Sequence, residues 1–138
     1  MASGIRIAKK EDADRVTLLL KKLKKDYRRG KFTKRCVEGK MASGKDFFVL
    51  SGKGMTRRSI VNKDIAEFRF LVKGDEKLVR FSLNSLKRKN IRKVLARFRS
   101  DDTESLSLFT KTGFLPEGYF KEHYRRKVDI VQLCKFLR

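Results

Sequence analysis

Residues 65–89 read IAEFRFLVKGDEKLVRFSLNSLKRK, in which a strand pattern leads directly into a helix pattern. Residues 65–72 are rich in β-favouring apolar and aromatic side chains, and they predict the strongest strand of the chain. Gly74 interrupts this strand, and apolar residues at helical spacing then predict a helix from about residue 75 to residue 89. A strand that is followed at once by a helix is typical of α/β proteins.

The flanking sequence continues the alternation of strands and helices in both directions. Before residue 65, the patterns predict a strand at 5–8, a helix from about 11 to 29, an ambiguous segment at 32–42 that is compatible with a short helix, and a hairpin of strands at 47–50 and 56–61. After residue 89, they predict a strand at 92–98, a helix at 101–112, and strands at 114–120 and 128–137. The length fits one domain that spans residues 1–138.

The net charge of the chain is its most unusual property. Lys and Arg number 37 against 16 Asp and Glu, which gives +21 over 138 residues. So much like charge opposes folding through self-repulsion, and the polyanion that usually offsets it is nucleic acid. With 40% hydrophobic residues and 11 Phe, the chain nevertheless has the composition of a folded domain and not that of a disordered basic tail.

Other classes of protein are disfavoured by composition. Cys36 and Cys134 stand far apart and His123 is the only histidine, so no zinc motif forms and reduced thiols are predicted. The sequence has neither a signal-peptide pattern nor an apolar run long enough to cross a bilayer, and we expect a cytoplasmic protein that makes no membrane contact. The scarcity of Asn and Gln indicates a thermophile, and with the basic charge it suggests an archaeal one.

Two stretches of sequence, together with the order of elements, resemble the GNAT superfamily of N-acetyltransferases. Residues 5–20, IRIAKKEDADRVTLLL, are similar to that family's first strand and first helix. Residues 104–118, ESLSLFTKTGFLPEG, are similar to its late motif Asn-x-x-Ala-x-x-Leu-Tyr-x-x-x-Gly-Phe-x-x-x-Gly. The resemblance implies a mixed, mostly antiparallel twisted sheet of six to seven strands with helices on both faces.

The same resemblance implies how such a protein works. Acetyl-CoA binds where two central strands splay apart, and its pyrophosphate rests on backbone N–H groups at the start of the helix that follows the fourth strand. The acetyl group passes directly to an amine, a carboxylate or water takes the amine proton, and a tyrosine hydroxyl often protonates the leaving thiolate.

Two departures from the family pattern argue against catalysis. The pyrophosphate loop, usually Gln/Arg-x-x-Gly-x-Gly/Ala, keeps only Gly74, and Asp75 and Glu76 place carboxylates where the helix should face an anion. Phe109 stands where the family often has the tyrosine, and a phenyl ring has no proton to give. No catalytic residue, cofactor-binding residue or metal site is therefore predicted.

These arguments predict a non-catalytic, strongly basic RNA-binding protein on a degenerate acetyltransferase scaffold. It would be a ribosomal or ribosome-associated protein that contacts rRNA phosphates and neighbouring ribosomal proteins, since its charge is spread over many segments. The residues predicted to contact RNA are Lys21, Lys24, Lys25, Arg28, Arg29, Arg57, Arg58, Lys87, Arg88, Lys89, Arg92, Arg125, Arg126 and Lys127.

Two alternatives remain open from the sequence. The first is an active N-acetyltransferase that its basic charge recruits to tRNA or ribosomal substrates, with Glu67 as the best candidate for the general base. The second is a DNA-compacting or transcription-associated protein, which no helix-turn-helix spacing, zinc motif or basic zipper supports.

Overall fold

The structure, a computed structural model, describes residues 5–21, 33–43, 46–51, 54–72 and 75–137. Its strands are β1 (Arg6–Ile7), β2 (Asp46–Ser51), β3 (Gly54–Asn62), β4 (Ile65–Val72), β5 (Lys93–Arg99), β6 (Leu115–Arg125) and β7 (Val128–Phe136). Its helices are α1 (Ala13–Leu20), preceded by a 3₁₀ turn at Lys10–Asp12, then α2 (Lys34–Ala42), α3 (Glu76–Arg88) and α4 (Thr103–Lys111). The strand and helix order predicted from residues 65–89 outward is confirmed.

The seven strands form one sheet in the order β1-β2-β3-β4-β5-β7-β6. Every neighbouring pair is antiparallel except β4 and β5, which are parallel and are connected through α3. The predicted mixed, mostly antiparallel α/β fold is therefore confirmed. The single parallel pair lies near the middle of the sheet, where the chain crosses from one half to the other.

Helices cover both faces of the sheet. On one face, apolar residues of α3 and α4 pack against β4, β5 and β7 around Phe68, Phe98 and Leu133. On the other face, α1 and α2 pack against β2 and β3 around Val16, Phe48 and Met55. Because buried apolar area supplies most of the stabilisation of a domain, these two clusters hold the sheet between the helix pairs.

Several boundaries differ from the sequence-based prediction. The ambiguous segment at 32–42 contains helix α2, which begins where the Thr33 hydroxyl accepts a hydrogen bond from the N–H of Cys36. Helix α1 ends at Leu20, and residues 22–29 of the predicted longer helix lie outside the described residues. None of the helices in the described ranges is both long and apolar enough to span a membrane.

Candidate active site

The two parallel strands, β4 and β5, separate about halfway along their length. Strands β4 and β5 are paired from Ile65 opposite Lys93 to Phe68 opposite Ala96, although β4 runs on to Val72 and β5 runs on to Arg99. Beyond that point β4 remains paired with β3, and β5 remains paired with β7. The edges that face each other across the gap therefore carry backbone groups that the neighbouring strand does not satisfy, and an extended ligand with amide groups can pair with them.

Helix α3 begins directly beyond the end of β4, so its positive N-terminus belongs to the same end of the sheet. The Asp75 carboxylate accepts a hydrogen bond of 2.9 Å from the N–H of Leu78, and the Asp75 carbonyl accepts one from Val79. Glu76 is paired with Arg80 one turn later at 3.3 Å. Both carboxylates that the sequence places against an anion are thus engaged with groups of the helix itself.

The first turn of α3 still has capacity for a negatively charged group. The N–H groups of Glu76 and Lys77 come too early in the helix to have an acceptor within it. The stretch from Lys73 to Arg80 carries three cations against two carboxylates. The open strand edges and this helix start fit acetyl-CoA, the cofactor that the fold implies: the edges match the amides of its pantetheine arm, and the helix start matches its pyrophosphate.

Glu67 lies beside the point where the strands separate. It stands in β4 next to Ser59 of β3 and Leu95 of β5, one residue before the last pair, and its side chain is half-buried. Because Ala66 and Phe68 face the α3–α4 side, strand alternation places Glu67 on the opposite face. The only carboxylate of β4 therefore borders the start of the gap, where a general base is useful.

Phe109 is a core residue in this structure. Its side chain is fully buried, and its ring lies 5.0 Å from that of Phe68, 4.8 Å from that of Phe98 and 5.0 Å from that of Phe114, all measured between centroids. Edge-to-face contacts of this kind are favourable for aromatic rings. The position therefore contributes packing, and its lack of a hydroxyl does not alter the gap itself.

A polar network crosses β5, β7 and β6 on the same face as Glu67. Lys93 and the amide of Gln132 both donate to the Glu117 carboxylate, and Arg97 donates to the Gln132 oxygen at 2.7 Å. The hydrogen bond from Lys93 is the main reason that the pKa of Glu117 is lowered, so this carboxylate stays ionised. Burial, with Glu117 nearby, raises the pKa of the Cys134 thiol, which disfavours the thiolate.

The predicted RNA-contacting residues fall into three groups. Lys24, Lys25, Arg28 and Arg29 lie outside the described residues, as does the side chain of Arg125. The residues with exposed side chains are Lys21, Lys87, Arg88, Lys89, Arg92, Arg126 and Lys127, and Arg57 is half-buried. Arg58 is corrected by the structure: its side chain is fully buried beneath α3, because strand alternation puts it on the face opposite Met55, where it bonds to Ser82 and Ser85, and it cannot reach a phosphate in solution.

Known proteins of the same fold were found by comparing structures. The chain superimposes on an acetyltransferase of the GNAT family from Streptococcus pneumoniae with a TM-score of 0.80, over 97% of this chain and 98% of that one, at 18% identity. The superposition on the spermidine/spermine N-acetyltransferase SpeG from Vibrio cholerae has a TM-score of 0.75, over 96% of this chain and 93% of that one, at 16% identity. The superposition on yncA from Salmonella typhimurium, a structure with its cofactor acetyl-CoA, has a TM-score of 0.76, over 97% of this chain and 93% of that one, at 16% identity.

The fold is that of the GNAT acetyltransferases. No family model matches the sequence, and no curated protein sequence matches it either. At these low identities the structural matches establish the architecture, and the resemblance seen in residues 5–20 and 104–118 is confirmed.

The same matches correct the functional prediction. The expectation of a non-catalytic ribosomal RNA-binding protein, and of a chain that is not an enzyme, is wrong, since proteins superimposable over nearly the whole chain are acetyltransferases. The error lay in treating Asp75, Glu76 and Phe109 as damage to the site. In the structure Asp75 caps α3 through the N–H of Leu78, Glu76 is paired with Arg80, and Phe109 packs in the core, while the gap between β4 and β5 is present.

Sequence reasoning missed two side-chain pairs on strands β5, β6 and β7. Glu117 and Lys93 are 24 residues apart, and their contact depends on β7 lying between β6 and β5. Tyr119 donates a hydrogen bond to Asp129, and this bond is the main cause of the raised pKa of its hydroxyl. Neither pair has a local sequence signal, because both result from strand order.

Proposed function

We propose that this protein is an N-acetyltransferase that transfers an acetyl group from acetyl-CoA to an amine carried by a polyanionic acceptor, namely aminoacyl-tRNA or a ribosome-bound polypeptide. The observation that carries this proposal is the separation of β4 from β5 after Phe68 and Ala96, directly beside the start of α3. Acetyl-CoA supplies the activated thioester whose acetyl group is transferred. The cytoplasm, which contains these acceptors, is the proposed location.

Groups of the chain itself bind the cofactor, orient it and remove the proton of the amine. The unpaired edges of β4 and β5 hold and orient the cofactor arm, and the N–H groups of Glu76 and Lys77 receive its anionic part. Lys77 adds positive charge at the same turn, which offsets Asp75, while Arg80 is paired with Glu76. Glu67 takes the proton that the amine loses as its nitrogen forms the new bond to the acetyl carbon. The carbon–sulfur bond of the thioester breaks in the same transfer, and CoA leaves as a thiolate that takes a proton from water.

The charge of the protein supports the class of acceptor. At +21, the chain repels a polycation such as spermidine and attracts RNA-bound substrates at ordinary ionic strength. The acceptor of SpeG, a polyamine by its name, is therefore not the one proposed here. Electrostatic attraction of this type raises the association rate and weakens as salt screens it.

The test is an acetyl-transfer assay that follows release of free CoA thiol. We expect turnover with aminoacyl-tRNA and much weaker turnover with spermidine. Replacement of Glu67 by Gln should lower kcat by about 10²–10⁴-fold with little change in KM for acetyl-CoA, because the base acts in the transfer step. The matched variant Glu11→Gln changes an exposed carboxylate of the 3₁₀ turn and should retain activity. If the protein neither binds acetyl-CoA in calorimetry nor acetylates any amine tried, the proposal is wrong.

A further inference from the structure

The end of α3 carries the densest group of cations in the sequence. Residues 87–93 read KRKNIRK, which is five cations in seven positions without a carboxylate, and no other run of seven residues contains five. The segment comprises the last two residues of α3, the turn that follows and the first residue of β5. The side chains of Lys87, Arg88, Lys89 and Arg92 are exposed. We call residues 87–92 the basic end.

Most of the charge at the basic end has no counter-charge in the part of the chain that the structure describes. Arg92 is paired with Asp64 at 2.9 Å. In the described ranges neither Lys87, Arg88 nor Lys89 forms an ion pair. The C-terminus of α3 carries a partial negative charge of about 0.5, which is too small to neutralise three cations. An exposed surface of this kind attracts a polyanion.

The positive charge of the chain is not uniform, which gives a polyanion a preferred side. Residues 100–120, which include α4 and the first half of β6, contain four carboxylates and one cation, Lys111. Carboxylates therefore outnumber cations in this part of the molecule, although the whole chain has a net charge of +21. A row of phosphates is repelled from α4 and the start of β6 and attracted to the basic end. Binding of nucleic acid is thus expected at a defined surface.

The distance from the basic end to the gap between β4 and β5 matches one class of RNA. The gap opens beyond Ala96, and Arg92 precedes that residue by four positions. At a rise of about 3.3 Å per residue along β5, the separation is about 13 Å. A stacked nucleic-acid strand rises about 3.4 Å per nucleotide, so this distance spans about four nucleotides. The unpaired 3′ end of a transfer RNA, which carries the amino acid, has about this length. An amine in the gap therefore places the first base pairs of the acceptor stem against the basic end.

We propose that the basic end binds the phosphates of the acceptor stem of an aminoacyl-tRNA whose amine reaches the gap between β4 and β5. This inference rests on the proposed function, and of its two acceptors it selects aminoacyl-tRNA. A ribosome-bound polypeptide has no RNA duplex at a fixed distance from its amine, so it does not match the 13 Å spacing (about four residues of β5). Lysine and arginine contacts to phosphate hold the duplex without reading its sequence, so different transfer RNAs are accepted.

Binding of uncharged transfer RNA to the full chain, followed by fluorescence anisotropy, tests the surface without any catalysis. The double variant Lys87→Gln with Arg88→Gln should raise Kd at least about tenfold at about 0.15 M salt. It should also reduce the slope of log Kd against log salt by about two, since two phosphate contacts are lost. The matched double variant Lys111→Gln with Lys121→Gln removes two exposed cations from α4 and β6 and should change Kd less than about threefold. Circular dichroism verifies that both variants fold.

Acetyl-transfer kinetics then test where the amine lies relative to the basic end. The two acceptors are an aminoacyl-tRNA and an aminoacylated oligonucleotide that consists of the unpaired 3′ end alone. We expect a KM at least about tenfold lower for the transfer RNA, because only this acceptor has the duplex. In Lys87→Gln with Arg88→Gln, KM for the transfer RNA should rise about tenfold, while kcat, KM for acetyl-CoA and KM for the oligonucleotide should stay unchanged.

Each remaining outcome overturns a stated part of the reasoning. An equal loss of tRNA binding in both double variants would show a net-charge effect and overturn the proposal, as would equal KM values for the two acceptors. Tighter binding to phosphatidylserine vesicles than to transfer RNA would assign the basic end to a membrane surface instead. Acetylation of aminoacyl-tRNA with unchanged KM in the first double variant overturns this inference alone. If no amine is acetylated while tRNA binding still depends on Lys87 and Arg88, the proposed function and the placement of the amine are wrong, and the RNA-binding surface stands.

Discussion

Replacing Arg58 by Met tests how a buried charge is tolerated beside α3. The Arg58 side chain is fully buried, and its guanidinium donates to the Ser82 carbonyl at 2.6 Å and to the Ser85 hydroxyl at 2.7 Å. The Phe47 ring lies 5.3 Å from the guanidinium carbon. Within the described residues the Nε of Arg58 and the hydroxyl of Ser82 have no hydrogen-bond partner. No carboxylate in the described part neutralises this charge through a salt bridge.

The expected magnitude follows from the pKa. Burial, and secondarily the nearby Arg88, lowers the pKa of Arg58 from 12.5 to about 10. Since each pKa unit is worth about 1.4 kcal/mol, the buried charge costs about 3 kcal/mol at neutral pH. A base with a lowered folded pKa destabilises the fold at every pH below about 10, and the penalty is relieved only as pH rises from there toward 12.5. Two hydrogen bonds to a charged donor and one cation–π contact offset a similar amount.

We therefore expect Arg58→Met to change the free energy of unfolding at pH 7 by less than about 1 kcal/mol, because the cost of the buried charge and the contacts that offset it are lost together, and Met fills a similar volume. Arg58→Lys keeps the charge but cannot reach both acceptors, and should lose about 2 kcal/mol or more. The surface variant Arg92→Met, which breaks an exposed pair with Asp64, should stay within about 1 kcal/mol of the wild type. Urea unfolding followed by circular dichroism measures all three. A loss of more than about 2 kcal/mol in Arg58→Met would refute the reasoning, since the arginine would then be a net stabiliser.

Two further predictions concern single carboxylates. Asp75→Ala removes the N-cap of α3, so it should lower the free energy of unfolding by about 1 kcal/mol. Under the proposed function it should also lower KM for acetyl-CoA, because one negative charge leaves the end of the helix that faces the cofactor. A variant of unchanged stability and higher KM would contradict this prediction. Hydrogen bonds from the Arg6 side chain, and then from the N–H of Lys9, lower the pKa of Asp12 from 3.8 to about 2, so its contribution is present above pH 3.8 and lost as pH falls toward 2. Melting temperatures of Asp12→Asn and wild type should therefore converge across that window, and a constant difference would count against the ion pair.

Much of the fold was determined by local sequence signals. Residues 65–72 alternate as a strand should, Asp75 caps the helix that follows, and Thr33 begins the helix in the ambiguous segment. These signals involve residues a few positions apart, where propensity, periodicity and capping act directly. The resemblance in residues 104–118 rested on the same kind of local pattern, in which Gly113 ends α4 at a positive φ of 100°.

The functional prediction from sequence was wrong for a physical reason that concerns particular residues. Asp75 and Glu76 were judged by their charge alone, and only the structure shows that they bond to Leu78 and Arg80. Phe109 was judged by the hydroxyl that it lacks, and only the structure shows it at the centre of an aromatic cluster. A charge has no fixed effect until its partners are known, and these partners follow from the folded geometry.

The sequence alone determined the α/β class, the order of strands and helices, and the large positive charge, because each of these depends on composition or on neighbours along the chain. Tertiary structure alone decided that β4 and β5 separate after Phe68, that Arg58 is buried under α3, and that Lys93 reaches Glu117 across β7. Those contacts join residues far apart in sequence, and they form only when the sheet order brings their strands and helices together.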